Sequence, residues 1–500
     1  MPVASFSQTK ELRKKEKEAD GLYEQAEYLK AVKLYKEVAA GDTADIRSAY
    51  KAGVCLFKLG RMDTMTQKYL LKAVRKFDEA HYFLGRVYLR NNKLYEALHE
   101  FLFAKGRYIS EFETPQEDIE RWAATAKRSI EESLNKQTLR VNNLGGIINS
   151  LFPEYSPVLS PDETMLLFTS RREGSTGGEK DPYGNYYEDI YYSMKSDSGW
   201  SKAQPFSKNV NTNTHDACVS FTPEGDLIIY RTDAKLTGGD LYISTFNGTE
   251  WSVPVIMTGK INSEYQEPSA SFSPLSNEVI FSSNKPDGFG GKDLYRITRF
   301  SGDMFSNPLN LGQKINTPYD EDAPFITSND KVLYFSSNGS STSGGYDIFR
   351  STLNEENGTW GPPEHIGMPL NSTGDDIYFI VTKDGKTAYF ASNRPGGAGE
   401  TDIYEIDMKE LENPLTVIEG SLNVEEGKTI DLSSVEITVL VESTGKTAGV
   451  YKLAKNYNTF ILLVDKSIEY KIVVESPEIE PFVQKIKFER DEWDMFVKKK

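Results

Sequence analysis

The chain has 500 residues, 38% hydrophobic and 26% charged, the balance of a folded multidomain protein rather than a disordered one. Its net charge of −16 is uneven: residues 1–140 hold 26 Lys+Arg against 21 Asp+Glu, a balance of +5, which leaves −21 for residues 141–500. So acidic a body excludes a nucleic-acid surface, whose phosphates demand a basic face, and leaves cations or basic protein surfaces as partners.

In chain order, residues 1–8 (Met1-Pro-Val-Ala-Ser-Phe-Ser-Gln8) carry no helical period. They read either as the remnant of a secretory signal, small residues before a cleavage point, or as a disordered arm. No later run of about 18 apolar residues occurs, so no segment reads as a membrane-spanning helix. Cys55 and Cys218 fall in different domains and read as small buried hydrophobes rather than a disulfide.

Residues 9–138 read as paired helices. Ala19, Tyr23, Tyr28, Ala31 and Tyr35 recur as Gly53, Phe57, Met62, Met65 and Tyr69, and then as Gly85, Tyr88, Leu94, Ala97 and Phe101. The offsets by subtraction are 34 and then 32 residues (31 from Phe57 to Tyr88), and small residues at the first and fourth places let helices approach while aromatics fill the gaps. In the second unit Met65 stands where a small residue is expected. Pro115, Ile119, Trp122, Ala126, Ile130 and Leu134 then mark a capping helix with one apolar stripe, Trp122 serving as core. This third of the chain resembles the tetratricopeptide repeat, an α-solenoid, which implies peptide or protein binding on its concave face.

From residue 139 to 412 the period changes. Asp189-Ile-Tyr, Asp240-Leu-Tyr, Asp293-Leu-Tyr, Asp347-Ile-Phe and Asp402-Ile-Tyr open five equivalent strands, their aspartates 51, 53, 54 and 55 residues apart by subtraction. Trp200, Trp251, Phe305 and Trp360 mark turns in register, and Asn149, Asn211, Asn262, Asn316 and Asn371, each followed by Ser or Thr, end strands. Asn149 precedes the first unit, and Val141-Asn-Asn-Leu-Gly145 upstream of it matches Pro308-Leu-Asn-Leu-Gly312. Residues 139–147 are therefore expected to supply the outer strand of the last unit, closing a five-bladed β-propeller without an open sheet edge. A hidden strand in residues 409–424 would make six.

Phe168-Thr-Ser-Arg171, Phe281-Ser-Ser-Asn284, Phe335-Ser-Ser-Asn338 and Phe390-Ala-Ser-Asn-Arg394, each followed by glycines and the aspartate strand, are similar to the TolB-type, WD40-like propeller repeats of periplasmic proteins. Blade two departs, with Tyr230-Arg-Thr-Asp233, and blade one carries an extra stretch, Asp181 to Glu188, a candidate contact or a plain surface loop.

Two carboxylate series stand out. Asp189, Asp240, Asp293, Asp347 and Asp402, at strand starts after Gly-rich loops, are expected to accept backbone N–H bonds and hold those loops. Glu154, Asp216, Glu267, Asp322 and Asp376 begin the innermost strands and are expected to form a ring at one mouth of the channel, where a cation, Ca²⁺ or Mg²⁺ from the oxygen-only ligands, or a basic ligand would relieve their repulsion. Catalytic signatures are poor: His81, His99, His215 and His365 are scattered, and no Gly-x-Ser-x-Gly elbow occurs. The chain reads as no enzyme, a divergent hydrolase being the remotest alternative.

Residues 415–492 alternate again in Val417-Ile-Glu-Gly-Ser-Leu422, Val435 to Val441, Thr459 to Val464 and Tyr470 to Glu475, a small antiparallel β-sandwich that resembles the carboxypeptidase regulatory-like domain. The order of the three parts resembles a group of Bacteroidota cell-envelope proteins, some of which attach the type IX secretion and gliding machinery to peptidoglycan through a further OmpA-like domain. No such domain follows Lys498-Lys-Lys500 in this sequence. The resemblance implies a periplasmic, outer-membrane-associated scaffold with protein partners; the alternative is a sensor holding a cation, glycan or peptide at the acidic mouth.

Overall fold

The structure, a computed structural model, describes residues 6–108, 112–134, 139–232, 238–300, 304–339, 341–354, 356–408, 416–424, 429–453, 458–464, 468–487 and 492–497. The chain forms two compact units, residues 1–136 with 141–406, and residues 137–140 with 407–500. Residues 1–5 and 135–138, assigned from sequence to the N-terminal arm and the end of the capping helix, lie outside the described residues.

Among the described residues the first unit opens with seven helices: α1 (Phe6–Glu24), which begins inside the arm expected over residues 1–8, α2 (Tyr28–Gly41), α3 (Ile46–Lys58), α4 (Thr64–Ala73), α5 (Ala80–Arg90), α6 (Leu94–Gly106) and α7 (Gln116–Leu134). Each packs on the next in sequence, the contact pattern of a repeat array. Asp45 and Asp63 cap α3 and α4, accepting the N–H of Ser48 at 3.0 Å and of Thr66 at 2.9 Å. Tyr50, Leu70, Phe83, Phe101 and Trp122 share one buried core.

Close helix approach explains the small residues. A Cβ on Gly53 would lie 2.8 Å from the Leu70 side chain, and one on Gly85 would lie 2.7 Å from the Phe101 ring. The second repeat is therefore regular but displaced by one residue from the sequence reading. Thr66 and Leu70, both buried, occupy the places of Ala97 and Phe101, while Met65 is 47% exposed.

Five antiparallel sheets follow. Their inner strands are Glu154–Leu159, His215–Phe221, Ala270–Phe272, Glu321–Ile326 and Asp376–Val381. The second strands, Met165–Ser170, Leu227–Thr232, Glu278–Ser283, Val332–Ser337 and Thr387–Ser392, are the most apolar and bury one face on each neighbouring sheet. The aspartate-led third strands begin at Asp189, Asp240, Asp293, Asp347 and Asp402. Each inner strand lies against the inner strands of the sheets before and after it, and the first lies against the fifth. The fifth sheet takes its outer strand from Val141–Asn143, which pairs antiparallel with Tyr404–Ile406. Residues 409–415 lie outside the described residues, and Thr416–Val424 joins the C-terminal sheets instead.

Among its described residues the second unit holds two sheets. One orders Thr459–Val464, Thr416–Val424 and Glu492–Val497; the other orders Thr447–Lys452, Glu436–Val441, Glu469–Glu475 and Phe482–Lys487. Ile418, Leu422, Ile437, Val439, Leu462 and Ile472 form their common core. The arrangement departs from the wholly antiparallel expectation, because Glu492–Val497 pairs parallel with Glu419–Val424. Among the described residues no helix is long and apolar enough to cross a membrane.

Candidate functional site

The repeated asparagines organise each sheet. The side-chain oxygen of Asn149, Asn211, Asn262, Asn316 and Asn371 accepts the N–H of Ile403, Ile190, Leu241, Leu294 and Ile348 at 2.8–2.9 Å. Each amide nitrogen donates to the carbonyl of the same residue at 2.9–3.0 Å. One side chain thus replaces a missing rung of the backbone ladder.

The residue after each asparagine then binds a carboxylate. Ser150, Thr212, Ser263, Thr317 and Ser372 donate both N–H and hydroxyl to Glu154, Asp216, Glu267, Glu321 and Asp376 at 2.5–3.1 Å. Ser170, Ser283 and Ser337 on the second strands reach Glu154, Glu267 and Glu321 at 2.7 Å. Arg172, Arg231 and Arg394 reach Glu154, Asp216 and Asp376 at 3.0, 2.6 and 2.6 Å.

Two expectations about the acidic ring change here. Glu321, exactly five residues after Asn316 as in the other units, occupies the fourth place; Asp322 is one residue out of register. All five carboxylates are buried and bonded to their own turns, so they lock the start of each inner strand instead of facing a mouth. Burial raises the pKa values of Glu154, Asp216, Glu267 and Glu321, although the surrounding hydroxyl and arginine donors oppose it. Among the described residues no three His, Cys, Asp or Glu side chains converge as a metal site.

The other aspartate series holds loops. Asp189 accepts the N–H of Thr176 at 2.7 Å, Asp293 that of Phe289 at 2.7 Å, Asp347 that of Ser343 at 2.6 Å, and Asp402 that of Ala398 at 2.5 Å. The loop before Asp240 includes residues 233–237, outside the described residues.

Asp322 belongs to a different group, the polar filling between the inner strands. It accepts from Ser269 Oγ at 2.5 Å and pairs with Lys292. Burial alone would raise its pKa; the Lys292 ammonium reverses that and holds the carboxyl below its usual range. Alongside, Arg171 bridges Asp181 at 2.8 Å and Glu188, which also accepts from Tyr155 at 2.6 Å and lies against His215. Asp181 and Glu188 bound the extra stretch of the first sheet. It is therefore more than a surface loop: Asp181 is buried, and a Cβ on Gly184 would lie 3.1 Å from Leu29 of α2. The sequence marked this stretch only by its extra length, and Lys292 carried no signal.

Helix α7 also bonds to the sheets. Arg121 donates to the Asn338 carbonyl at 2.9 Å, Arg128 to that of Thr342 at 2.7 Å, and Ser129 to that of Ser343 at 2.5 Å. His365 sits between Glu132 of α7 at 3.2 Å and Asp347 of the fourth sheet at 2.7 Å. Beside this contact a polar cavity of about 720 Å³ opens between the helices and the fifth sheet. Arg61, Arg86 and Arg90 line it from one side, Asp375, Asn393 and Glu400 from the other. Burial lowers the pKa of Arg90, and Asp375, Asp376 and Glu400 counter that effect. Arg86 stacks over Trp122 with its guanidinium 3.5 Å from the ring centroid. Such a cleft offers both charges and bidentate guanidinium donors, the chemistry that recognises a polar peptide segment.

No family model and no curated protein matches the chain. Among solved structures, a glycoside hydrolase aligns with a TM-score of 0.41 at 8% identity, over 56% of this chain and 94% of its own. The first tetratricopeptide domain of Spaghetti, bound to an HSP90 peptide, aligns at 0.20 and 16%, over 25% of this chain and 93% of its own. A protein of unknown function from Dyadobacter fermentans aligns at 0.34 and 14%, over 51% of this chain and 76% of its own. At these scores the likenesses carry no argument about activity.

Proposed function

We propose that the protein is a non-catalytic interaction scaffold of the cell envelope: a tetratricopeptide-like solenoid fastened to a five-bladed β-propeller, followed by a regulatory-like β-sandwich. The polar cleft between helices and sheets carries this reading. It presents Arg61, Arg86 and Arg90 opposite Asp375 and Glu400 in a cavity of about 720 Å³. The carboxylates among the inner strands support it from the other direction. Glu188 and Asp181 are held by Arg171, and Asp322 by Lys292, so these acids are engaged as structural ion pairs. A glycosidase needs two carboxyl groups poised across a bond, one of them able to hold a proton near neutral pH. The sequence resemblance supports a periplasmic, outer-membrane-associated location and a link to type IX secretion or gliding machinery or to outer membrane–peptidoglycan organisation.

Site-specific photocrosslinking in cells tests the reading. Photoreactive residues at Arg61 and Glu400, on opposite walls of the cleft, are expected to capture the same envelope protein, while one at Gly248, in an exposed turn of the second sheet, captures none. Absence of a shared partner, or glycoside turnover that disappears on Asp375→Asn, overturns it.

A further inference from the structure

Six connections join the seven helices, and five of them run three to six residues by subtraction, such as 25–27 and 74–79. The sixth, residues 107–115, runs nine, past the roughly two to eight usual between packed helices. Its end, Phe112-Glu113-Thr114, folds back onto helices that lie 35 to 90 positions earlier in the chain.

Glu113 is the focus of this contact. Its carboxylate accepts from the Tyr23 hydroxyl of α1 at 3.0 Å and from Lys51 of α3 at 3.3 Å, with Lys58 of α3 at 3.6 Å. The Lys51 ammonium also stands 3.8 Å from the centre of the Tyr23 ring. Among the described residues neither lysine has another acid within 4.0 Å. Two helices thus present two ammonium groups and a hydroxyl without an acid of their own, and a distant loop delivers one. Burial would raise the Glu113 pKa, but Lys51, Tyr23 and Lys58 outweigh it and hold the carboxyl below its usual range.

The neighbours of Glu113 seat the segment. The Phe112 ring meets Tyr108 with centroids 5.3 Å apart and packs on the helical core. The Thr114 N–H donates to Glu79, at the head of α5, at 2.7 Å. The ionic part of the contact is nevertheless open to water, since the Glu113 side chain is 46% exposed. Ion pairs so exposed hold weakly, so a segment of another chain that brings the same groups can replace this one.

We propose that Phe112-Glu113-Thr114 is an internal ligand, seated on a docking surface of α1 and α3 whose external occupant is a partner segment with an acidic residue beside an aromatic one. Binding of that partner releases Glu113 from Tyr23, Lys51 and Lys58. The surface shares no residue with the lining of the polar cleft, so its failure would leave the scaffold reading through that cleft standing.

Fluorescence anisotropy of the full chain with a labelled peptide of residues 107–115, Arg-Tyr-Ile-Ser-Glu-Phe-Glu-Thr-Pro, tests the proposal. Saturable binding is expected, about twofold to fivefold tighter for Glu113→Gln than for the wild type, because the internal competitor has lost its charge. Lys51→Ala combined with Lys58→Ala should abolish binding, and so should glutamine in place of the second glutamate of the peptide. Glu113→Gln keeps the size of a half-exposed side chain, and the glutamine peptide needs no variant, so the test stands even if the double lysine variant fails to fold. Absence of binding to Glu113→Gln, equal affinity of wild type and Glu113→Gln, or equal affinity of the two peptides overturns the proposal.

Discussion

Asn149 grips the backbone of Ile403, accepting its N–H at 2.8 Å and donating to its carbonyl at 3.0 Å across 254 positions of sequence. The same side chain also donates to Asn143 Oδ1 at 2.9 Å, tying the borrowed outer strand to the last sheet. Asn149→Ala should therefore cost about 2–4 kcal/mol, since two buried backbone groups lose their partners. Denaturant unfolding measures this. A loss under about 1 kcal/mol would mean that closure is held by other contacts.

Glycine substitutions in the helices should act in opposite directions. Gly85→Ala drives a methyl group into the Phe101 ring, 2.7 Å away, and is expected to destabilise by about 1–3 kcal/mol. Gly21, in α1, has nothing within 4 Å of an added Cβ. Gly21→Ala should stabilise by about 0.5–1 kcal/mol through better helix propensity. Thermal melts of the two variants should move apart, and equal shifts would contradict the packing described.

Asp322 is buried and its partner Lys292 is 22% exposed, so breaking the pair, which strands the buried carboxylate, differs from replacing it. Lys292→Ala leaves a carboxylate without its countercharge and should cost about 3–5 kcal/mol, while Lys292→Met with Asp322→Leu should recover most of the loss. Equal destabilisation of the single and double variants in urea would show that the charge itself is needed.

His365 makes the helix–sheet contact depend on pH. Burial disfavours its charged ring, but bonds to Asp347 and Glu132 outweigh that and raise its pKa from 6.5 to about 9. Burial raises Asp347 to about 6, so both partners are charged between about pH 6 and 9. A raised histidine pKa stabilises fully below the unfolded value and is lost as pH rises through the folded value. The melting temperature of the wild type should therefore exceed that of His365→Ala most clearly near pH 7, and the gap should narrow by pH 10. A gap that widens with pH would refute the ionic bridge.

Much of the fold was legible because it repeats. The aspartate strands recur 51–55 residues apart and each asparagine stands five residues before its carboxylate, and local hydrogen bonds within a turn need only that short spacing. Thr66 and Glu321 show the limit of this reading. Each lies one position from the residue chosen by pattern: Asp322 looked acceptable in type, and Met65 stood out only as larger than its place expects. A single-residue slip turns a side chain to another face, and only packing distinguishes the two.

By itself the sequence determined the repeat periods, the turn residues that lock each strand, and the segment that supplies the last outer strand, because these depend on chemistry between near or repeated positions. The tertiary structure alone decided that the carboxylates are buried in their own turns and that Arg171 and Lys292 neutralise the acids among the inner strands. It also decided that α7 docks on the fourth sheet, leaving a polar cleft on one side. Those outcomes join residues as far apart as Arg121 and Asn338, separated by 217 positions, and no local pattern encodes which surfaces meet.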